Sequence, residues 1–316
     1  MSTGIIIVTP VYNDWQSFQL LIDALHSLSE HAPYRVDRVI AVNDGSTEPT
    51  PKLKAFAKVP ISILDLSSNM GHQRAISIGL SYVEAHVSGS DAVIVMDCDG
   101  EDRPEDIEVL IGRLQQEAQQ TIVFAKRKKR TEGPVFKFFY KLYKLLFNAL
   151  TSQTLDFGNF SCIPYAFLTR VVSLPEIWNH FSGGIIKSKT PYVSQGTNRG
   201  ERFEGRSKMN FQDLMLHGLS SISIYLDIVS IRLLLVSALF FGLTLVGLLV
   251  FLIVTVISPV SVPSWSSLLV LSAINILTLV VLCSFLILLF QLNQKTTVQL
   301  PPKTFYKSFI LKVSDV

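Results

Sequence analysis

The chain has 316 residues, of which 48% are hydrophobic and only 17% charged. A soluble domain carries about 25% charged residues, so a wholly soluble chain is excluded, and the deficit is local: no Asp, Glu, Lys, Arg or His stands between Arg232 and Lys295. A net charge of +3 is too small to call for nucleic acid, and Cys98, Cys162 and Cys283 fit neither a zinc spacing nor a disulfide framework.

The opening stretch, Met1 to Pro10, has no basic segment and too short an apolar run for a signal peptide, so the N-terminal part is expected in the cytosol. Gly4–Val8 is a β-branched run closed by Thr9-Pro10 and reads as a buried strand. Ser17–Leu28 has helical apolar spacing, Val36–Val42 is a second strand closed by Asn43-Asp44-Gly45-Ser46, and Ile61–Leu66 is a third. A helix over Gly71–Val87, a strand over Ala92–Met96, a helix over Pro104–Gln116 and a strand over Ile122–Ala125 follow. Alternating strands and helices predict an α/β fold with a doubly wound, mostly parallel sheet, whose ligands sit beyond the carboxyl ends of the strands.

Further on, Lys126 to Arg130 reads KRKKR, a cluster suited to anionic head groups or phosphate ligands. In Pro134–Leu150, Lys137, Lys141 and Lys144 share one helix face amid aromatic and leucine residues, the pattern of a helix lying in the membrane interface. Residues 208–231 form a weaker amphipathic stretch. Leu233–Ile257 and Leu268–Phe290 are each long enough to span a bilayer, joined by a Pro- and Ser-rich linker. Arg232 on one side, with Lys295, Lys303, Lys307 and Lys312 on the other, places both termini in the cytosol by the positive-inside rule. The expected organisation is a catalytic domain over 1–207 with its interface helix at 134–150, a juxtamembrane segment over 208–231, a two-helix anchor over 232–294 and a cytosolic tail over 295–316. This organisation predicts a multi-pass protein of the cytoplasmic membrane with the bilayer itself as a partner. Asn275 in the second span offers a hydrogen bond across helices, which leaves room for a homo-oligomer.

The sharpest chemical signal is the apolar run from Val93 to Met96 followed by Asp97-Cys98-Asp99. Hard divalent cations take carboxylate oxygens together with substrate phosphates, and a cation held there would neutralise a departing diphosphate. Val8 to Asp14 (V-T-P-V-Y-N-D), Val42 to Ser46 (V-N-D-G-S) and Asn69 to Ala75 (N-M-G-H-Q-R-A) follow the first three strands in order. Over about residues 4–215, the chain resembles family 2 glycosyltransferases of the GT-A fold. The resemblance implies that Pro10, Tyr12, Asp14 and Gly71 line the nucleotide, that Asp44 contacts base or ribose, and that Asp97 and Asp99 hold Mg2+ or Mn2+ on the diphosphate.

Asp97 to Glu105 is similar to the D-x-D-x-Q-x-x-P-E stretch of polyprenyl-phosphate glycosyltransferases, the dolichyl-phosphate mannose synthase group, with Glu101 in place of Gln as a further metal ligand. Arg202 to Lys208 resembles that group's R-x-x-G-x-S-K signature, which implies that Arg202, Arg206 and Lys208 meet donor and acceptor phosphates; from the basic cluster, Arg127 is a further candidate for a phosphate contact. One region departs: where the group carries a D-x-G-D-F-R stretch, this chain has Asp156-Phe157-Gly158-Asn159-Phe160-Ser161, so Asp156 is the carboxylate left for any catalytic role there. The chemistry needs no strong base if the acceptor is already an anion, since an anionic phosphate requires cationic positioning whereas a hydroxyl requires proton removal.

The expected reaction is transfer of a sugar, with inversion, from a UDP- or GDP-linked donor to a polyprenyl phosphate. A lipid hydroxyl or glycan acceptor, and an inactive nucleotide-sugar-binding subunit, are the rival readings. A processive synthase is disfavoured because none of Trp15, Trp178 and Trp265 sits in a Q-x-x-R-W motif, and a dinucleotide oxidoreductase because no G-x-G-x-x-G follows the first strand.

Overall fold

The computed structural model describes residues 2–29, 32–51, 59–127, 134–153, 158–204, 218–257, 264–296 and 299–316. The chain divides into two compact units, one formed by Met1–Leu142, Leu155–Ile224 and Leu300–Val316, the other by Tyr143–Thr154 and Tyr225–Gln299.

The first unit is built on an eight-stranded sheet. Its strands are β1 (Thr3–Val11), β2 (Tyr34–Asn43), β3 (Ile61–Leu66), β4 (Ala92–Val95), β5 (Ile122–Arg127), β6 (Ser161–Pro164), β7 (Tyr192–Thr197) and β8 (Ile310–Asp315), in the spatial order β7-β5-β6-β4-β1-β2-β3-β8. β1 pairs in parallel with β2 and β4, β2 with β3, and β5 with β7, while β6 and β8 run antiparallel to their neighbours. The sheet is therefore doubly wound and mostly parallel, as the alternation predicted, with short antiparallel insertions.

Period-2 alternation along the strands assigns side chains to the two faces. Ile5, Ile7, Val39, Ala41, Ile63 and Ile94 meet α1 (Trp15–Ser29) and α3 (Asp106–Gln116) through Phe18, Leu21, Leu25, Ile107, Leu110 and Leu114. Ile6, Val8, Ile40, Val42, Val93 and Val95 meet α2 (His72–His86) and α5 (Tyr165–Val172) through Ile76, Leu80, Val83, Leu168 and Val171. Each such aliphatic side chain contributes roughly 1.5–3 kcal/mol on burial. Both faces are covered, so the strands read as continuous apolar runs, and the loops that follow the parallel strands β1 to β4 open at the same edge.

Residues 300–316, expected as a cytosolic tail, fold as part of this unit. β8 pairs with β3 from Ser62 opposite Asp315 to Leu66 opposite Ile310. Ser62 Oγ donates to Asp315 Oδ1 (2.6 Å) and Arg38 donates to Ser62 Oγ (2.8 Å). Phe305 and Phe309 pack against Trp178, with ring centroids at 4.9 and 5.3 Å, and Tyr306 is buried against α2. β8 thus covers the edge that β3 would otherwise present to solvent.

The second unit contains α7 (Leu226–Ile257) and α8 (Ser264–Thr296), two apolar helices. Within them Leu226–Val254 and Leu268–Asn293 are long and apolar enough to cross a membrane, with just 6% of residues buried in the most apolar window of each. At about 1.5 Å rise per residue, either exceeds the roughly 30 Å hydrocarbon core. In the same unit, Arg232 donates from Nη1 to Ala149 O (2.8 Å) and from Nη2 to Ser152 Oγ (2.6 Å), and Phe147 meets Tyr225 edge to face at 5.9 Å. The last turn of α4 (Pro134–Thr151), the expected interface helix, is thereby fixed to the first turns of α7, and Leu142, Leu145 and Leu146 along α4 are exposed.

Tyr306→Ala should cost about 3–5 kcal/mol, the range for truncating a large buried ring. Chemical denaturation of the purified protein measures this, and an unchanged midpoint would mean that the returning segment contributes nothing to the sheet.

Candidate active site

Three loops meet at the carboxyl edge of β1 to β3, and their polar side chains lace them together. Asn13, in the left-handed region at φ 49°, accepts at Oδ1 from the N–H groups of Thr47 (2.9 Å) and Glu48 (3.1 Å), and its own N–H donates to Ser46 Oγ (2.9 Å). An Asn tolerates that backbone conformation better than most residues. Asp44 is 3% exposed; its oxygens accept from the Met70 N–H (2.7 Å) and the Gly71 N–H (3.0 Å). Gly45 has φ +67°, and a Cβ there would lie 2.4 Å from Asn69 N, so the N-D-G-S turn sits directly on the loop before α2. Asp44 therefore shapes the loop leading into α2. Pro10 is buried in β1 opposite Val42, whereas the neighbouring Tyr12 is 41% exposed.

The carboxylates predicted from the sequence follow β4. Asp97 donates its N–H to Asp102 Oδ2 (3.1 Å), and Asp99 Oδ1 accepts from the Glu101 N–H (2.9 Å). Segment 199–203 lies over this turn through Gly200 N–H to Glu101 O (2.9 Å) and Phe203 N–H to Asp99 O (2.8 Å). Gly100 permits that approach: its φ is +89°, and a Cβ would sit 2.8 Å from the Phe203 ring and 2.9 Å from Glu201 O.

This docking brings arginines onto the acidic turn. Arg202 Nη1 lies 3.1 Å from Asp99 Oδ2 and its Nη2 3.4 Å from Asp14 Oδ2. Arg199 meets Glu101 Oε1 at 2.7 Å, and Arg127, at the end of β5, spans Glu101 Oε2 (3.3 Å) and Asp102 Oδ1 (3.5 Å). Glu101 is thus engaged by two guanidinium groups. On the other side, His72 Nε2 is 3.2 Å from Asp97 Oδ1 and 3.0 Å from Asn159 Nδ2. The structure brings Asp14, Asp97, Asp99, Glu101, Arg127 and Arg202 together. Asp156, Arg206 and Lys208 lie outside the described residues. Arg199 belongs to no quoted motif, and the signal for His72 was its place in the N-M-G-H-Q-R-A stretch that opens a helix on the ligand edge.

Burial, then the charge of Asp97, pushes the Asp102 carboxyl up to about 7 and that of Asp99 up to about 6. For Asp97 burial also acts upward, but the charge and hydrogen bond of His72, with Arg127 and Arg202, hold it below the usual carboxylate range. Among the described residues no group of three or more His, Cys, Asp or Glu side chains is arranged to hold a metal ion.

The pattern of the family described as Glycosyl transferase family 2 matches residues 6–178. The chain is 26% identical over 230 residues to an uncharacterized glycosyltransferase of Synechocystis sp., covering 70% of this chain and 69% of the relative. It is 24% identical over 225 residues to the undecaprenyl-phosphate 4-deoxy-4-formamido-L-arabinose transferase of Photorhabdus laumondii, covering 66% and 64%. Among solved structures, glucosyl-3-phosphoglycerate synthase of Mycobacterium tuberculosis, in complex with Mn2+, UDP-glucose and phosphoglyceric acid, superposes with a TM-score of 0.51 at 18% identity over 72% of this chain and 80% of that one. This likeness is one of fold, and the fold is GT-A.

The raised carboxyls have a measurable sign. Folded Asp99 and Asp102 keep protons that an unfolded Asp, with a pKa of about 3.9, has released. The native state therefore binds more protons than the unfolded state between about pH 4 and 7, and stability falls as pH rises through that window. Thermal melts of metal-free protein should show the decline and Asp102→Asn should flatten it; a stability that rises across the window contradicts the assignment.

Proposed function

Because the chain belongs to glycosyl transferase family 2 and is a glycosyltransferase, we propose that it moves a sugar from a nucleotide-sugar to a polyprenyl phosphate at a bilayer surface, with inversion at the anomeric carbon. The observation that carries this reading is the acidic turn Asp97-Cys98-Asp99 at the carboxyl end of β4, faced by Arg202 and flanked by the laced loops of β1 to β3. The donor class rests on the family, and the acceptor class on the undecaprenyl-phosphate transferase among the relatives.

The residues present fit a hard divalent ion. Asp97 and Asp99 offer oxygen, and Mg2+ or Mn2+ is commonly held by one or two carboxylates while substrate phosphates complete the coordination. Such an ion, when bound, neutralises the diphosphate and eases its departure. The chain's own residues do the rest. The exposed ring of Tyr12 is available to a nucleobase, with Asn13 holding its turn against Thr47 and Glu48. The first turn of α2 points backbone N–H groups toward the ligand edge, which favours phosphate oxygens. Arg202 stands between Asp14 and Asp99, within reach of a diphosphate held there, and can offer it a bidentate pair of donors. A phosphate acceptor is ionised near neutral pH and attacks without a strong base, so position 159 serves as Asn.

If α7 and α8 span the bilayer, the residues before them and after them lie on one side, because both belong to the same sheet. With the flanking positive charges this favours a cytosolic catalytic domain. Reporter fusions at the two termini should both read cytosolic, and opposite readings would refute the two-span topology.

The decisive assay incubates membranes carrying the protein with radiolabelled UDP- and GDP-sugars, undecaprenyl phosphate and Mn2+, then extracts lipid. One donor should label the lipid phase, mild acid should release the sugar, and the Asp97→Ala, Asp99→Ala double variant should lose transfer. With a phosphate acceptor Asp156→Asn should retain most activity. Label confined to an acid-stable product would point instead to a hydroxyl acceptor.

A further inference from the structure

His72 and Asn159 come from separate stretches of sequence and meet beside the acidic turn. Asp97 Oδ1 is shut off from solvent, although the side chain as a whole is 33% exposed, so Oδ2 is the oxygen left open to a ligand. A buried carboxylate oxygen needs a donor, and His72 Nε2 stands 3.2 Å from it. The same nitrogen lies 3.0 Å from the Asn159 carboxamide. One ring nitrogen cannot give a proton to Asp97 and offer a lone pair to Asn159 at once. The neutral amide resolves the conflict, because a half-turn of its plane presents oxygen in place of nitrogen at no charge cost. A carboxylate at position 159 would instead compete with Asp97 for the same proton.

We propose that His72 is a positioning residue for Asp97. Its Nε2–H holds Oδ1 and leaves Oδ2 directed at a divalent cation, and the neutral Asn159 amide, a weaker acceptor than a carboxylate, leaves that proton to Asp97. The inference rests on the metal-binding reading of Asp97 and Asp99 given above. It assigns a purpose to the departure at Asn159: the neutral side chain preserves the orientation of the metal carboxylate. Outer partners of metal ligands act in this way, and their loss costs about 10–100-fold in metal affinity.

The test measures Mn2+ binding to purified full-length protein, by loss of the free-ion paramagnetic resonance signal, without donor or acceptor. The Asp97→Ala, Asp99→Ala double variant checks the underlying reading: if it binds Mn2+ like the wild type, the metal site itself is refuted. With that control lost as expected, His72→Ala should weaken Mn2+ about 10–100-fold. His72→Gln, whose Nε2 can replace the ring donor, should recover most of the loss, and Asn159→Asp should weaken binding toward the lower end of that range. Wild-type affinity in His72→Ala would overturn the inference. Should His72→Ala fail to fold, the other variants decide: a weak His72→Gln beside an unaffected Asn159→Asp would overturn it equally.

Discussion

Asp14, Asp97, Asp99, Glu101 and Asp102 converge on one edge of the sheet, and this crowding of negative charge constrains everything around it. At short range in a partly desolvated setting, like charges repel strongly and some carboxylates keep their protons, as the upward shifts of Asp99 and Asp102 indicate. The balance comes from elements distant in sequence: Arg127 from the end of β5, Arg199 and Arg202 from the segment after β7, and His72 from α2. The acidic turn can hold its shape only inside the folded sheet, because its counter-charges arrive by tertiary structure.

The loops on the other side of the site are governed by backbone satisfaction rather than charge. Asn13 and Asp44 spend their side-chain oxygens on the N–H groups of neighbouring loops. A loop amide that has a fixed acceptor loses the freedom to reorganise when a ligand arrives, so less ordering entropy is lost on binding. Fixed loops and compensated charges together give a site that is shaped before any substrate enters it.

How far this was legible in the sequence depends on the range of each interaction. β1 to β5 were readable because continuous β-branched runs mark strands buried on both faces. β6 is four residues ending in Pro164, and β7 carries Ser194, Gln195 and Gly196, so neither has a periodic signature. β8 could not be paired with β3 by local reasoning, since two long apolar helices separate them. In the site, the acidic turn announced itself by following an apolar strand. The meeting of His72 with Asn159, and of Arg199 with Glu101, depends on contacts across 87 and 98 positions that no local motif encodes.

The position of β8 has a consequence for biosynthesis. A ribosome delivers Ile310–Asp315 after both apolar helices have been made. Until then β3 stands as a bare edge, and the nascent domain lacks its edge strand and the aromatic plug of Phe305, Tyr306 and Phe309. Completion of the sheet is thereby deferred until the two apolar helices have left the exit tunnel, so a chain that stalls within them never acquires a finished domain.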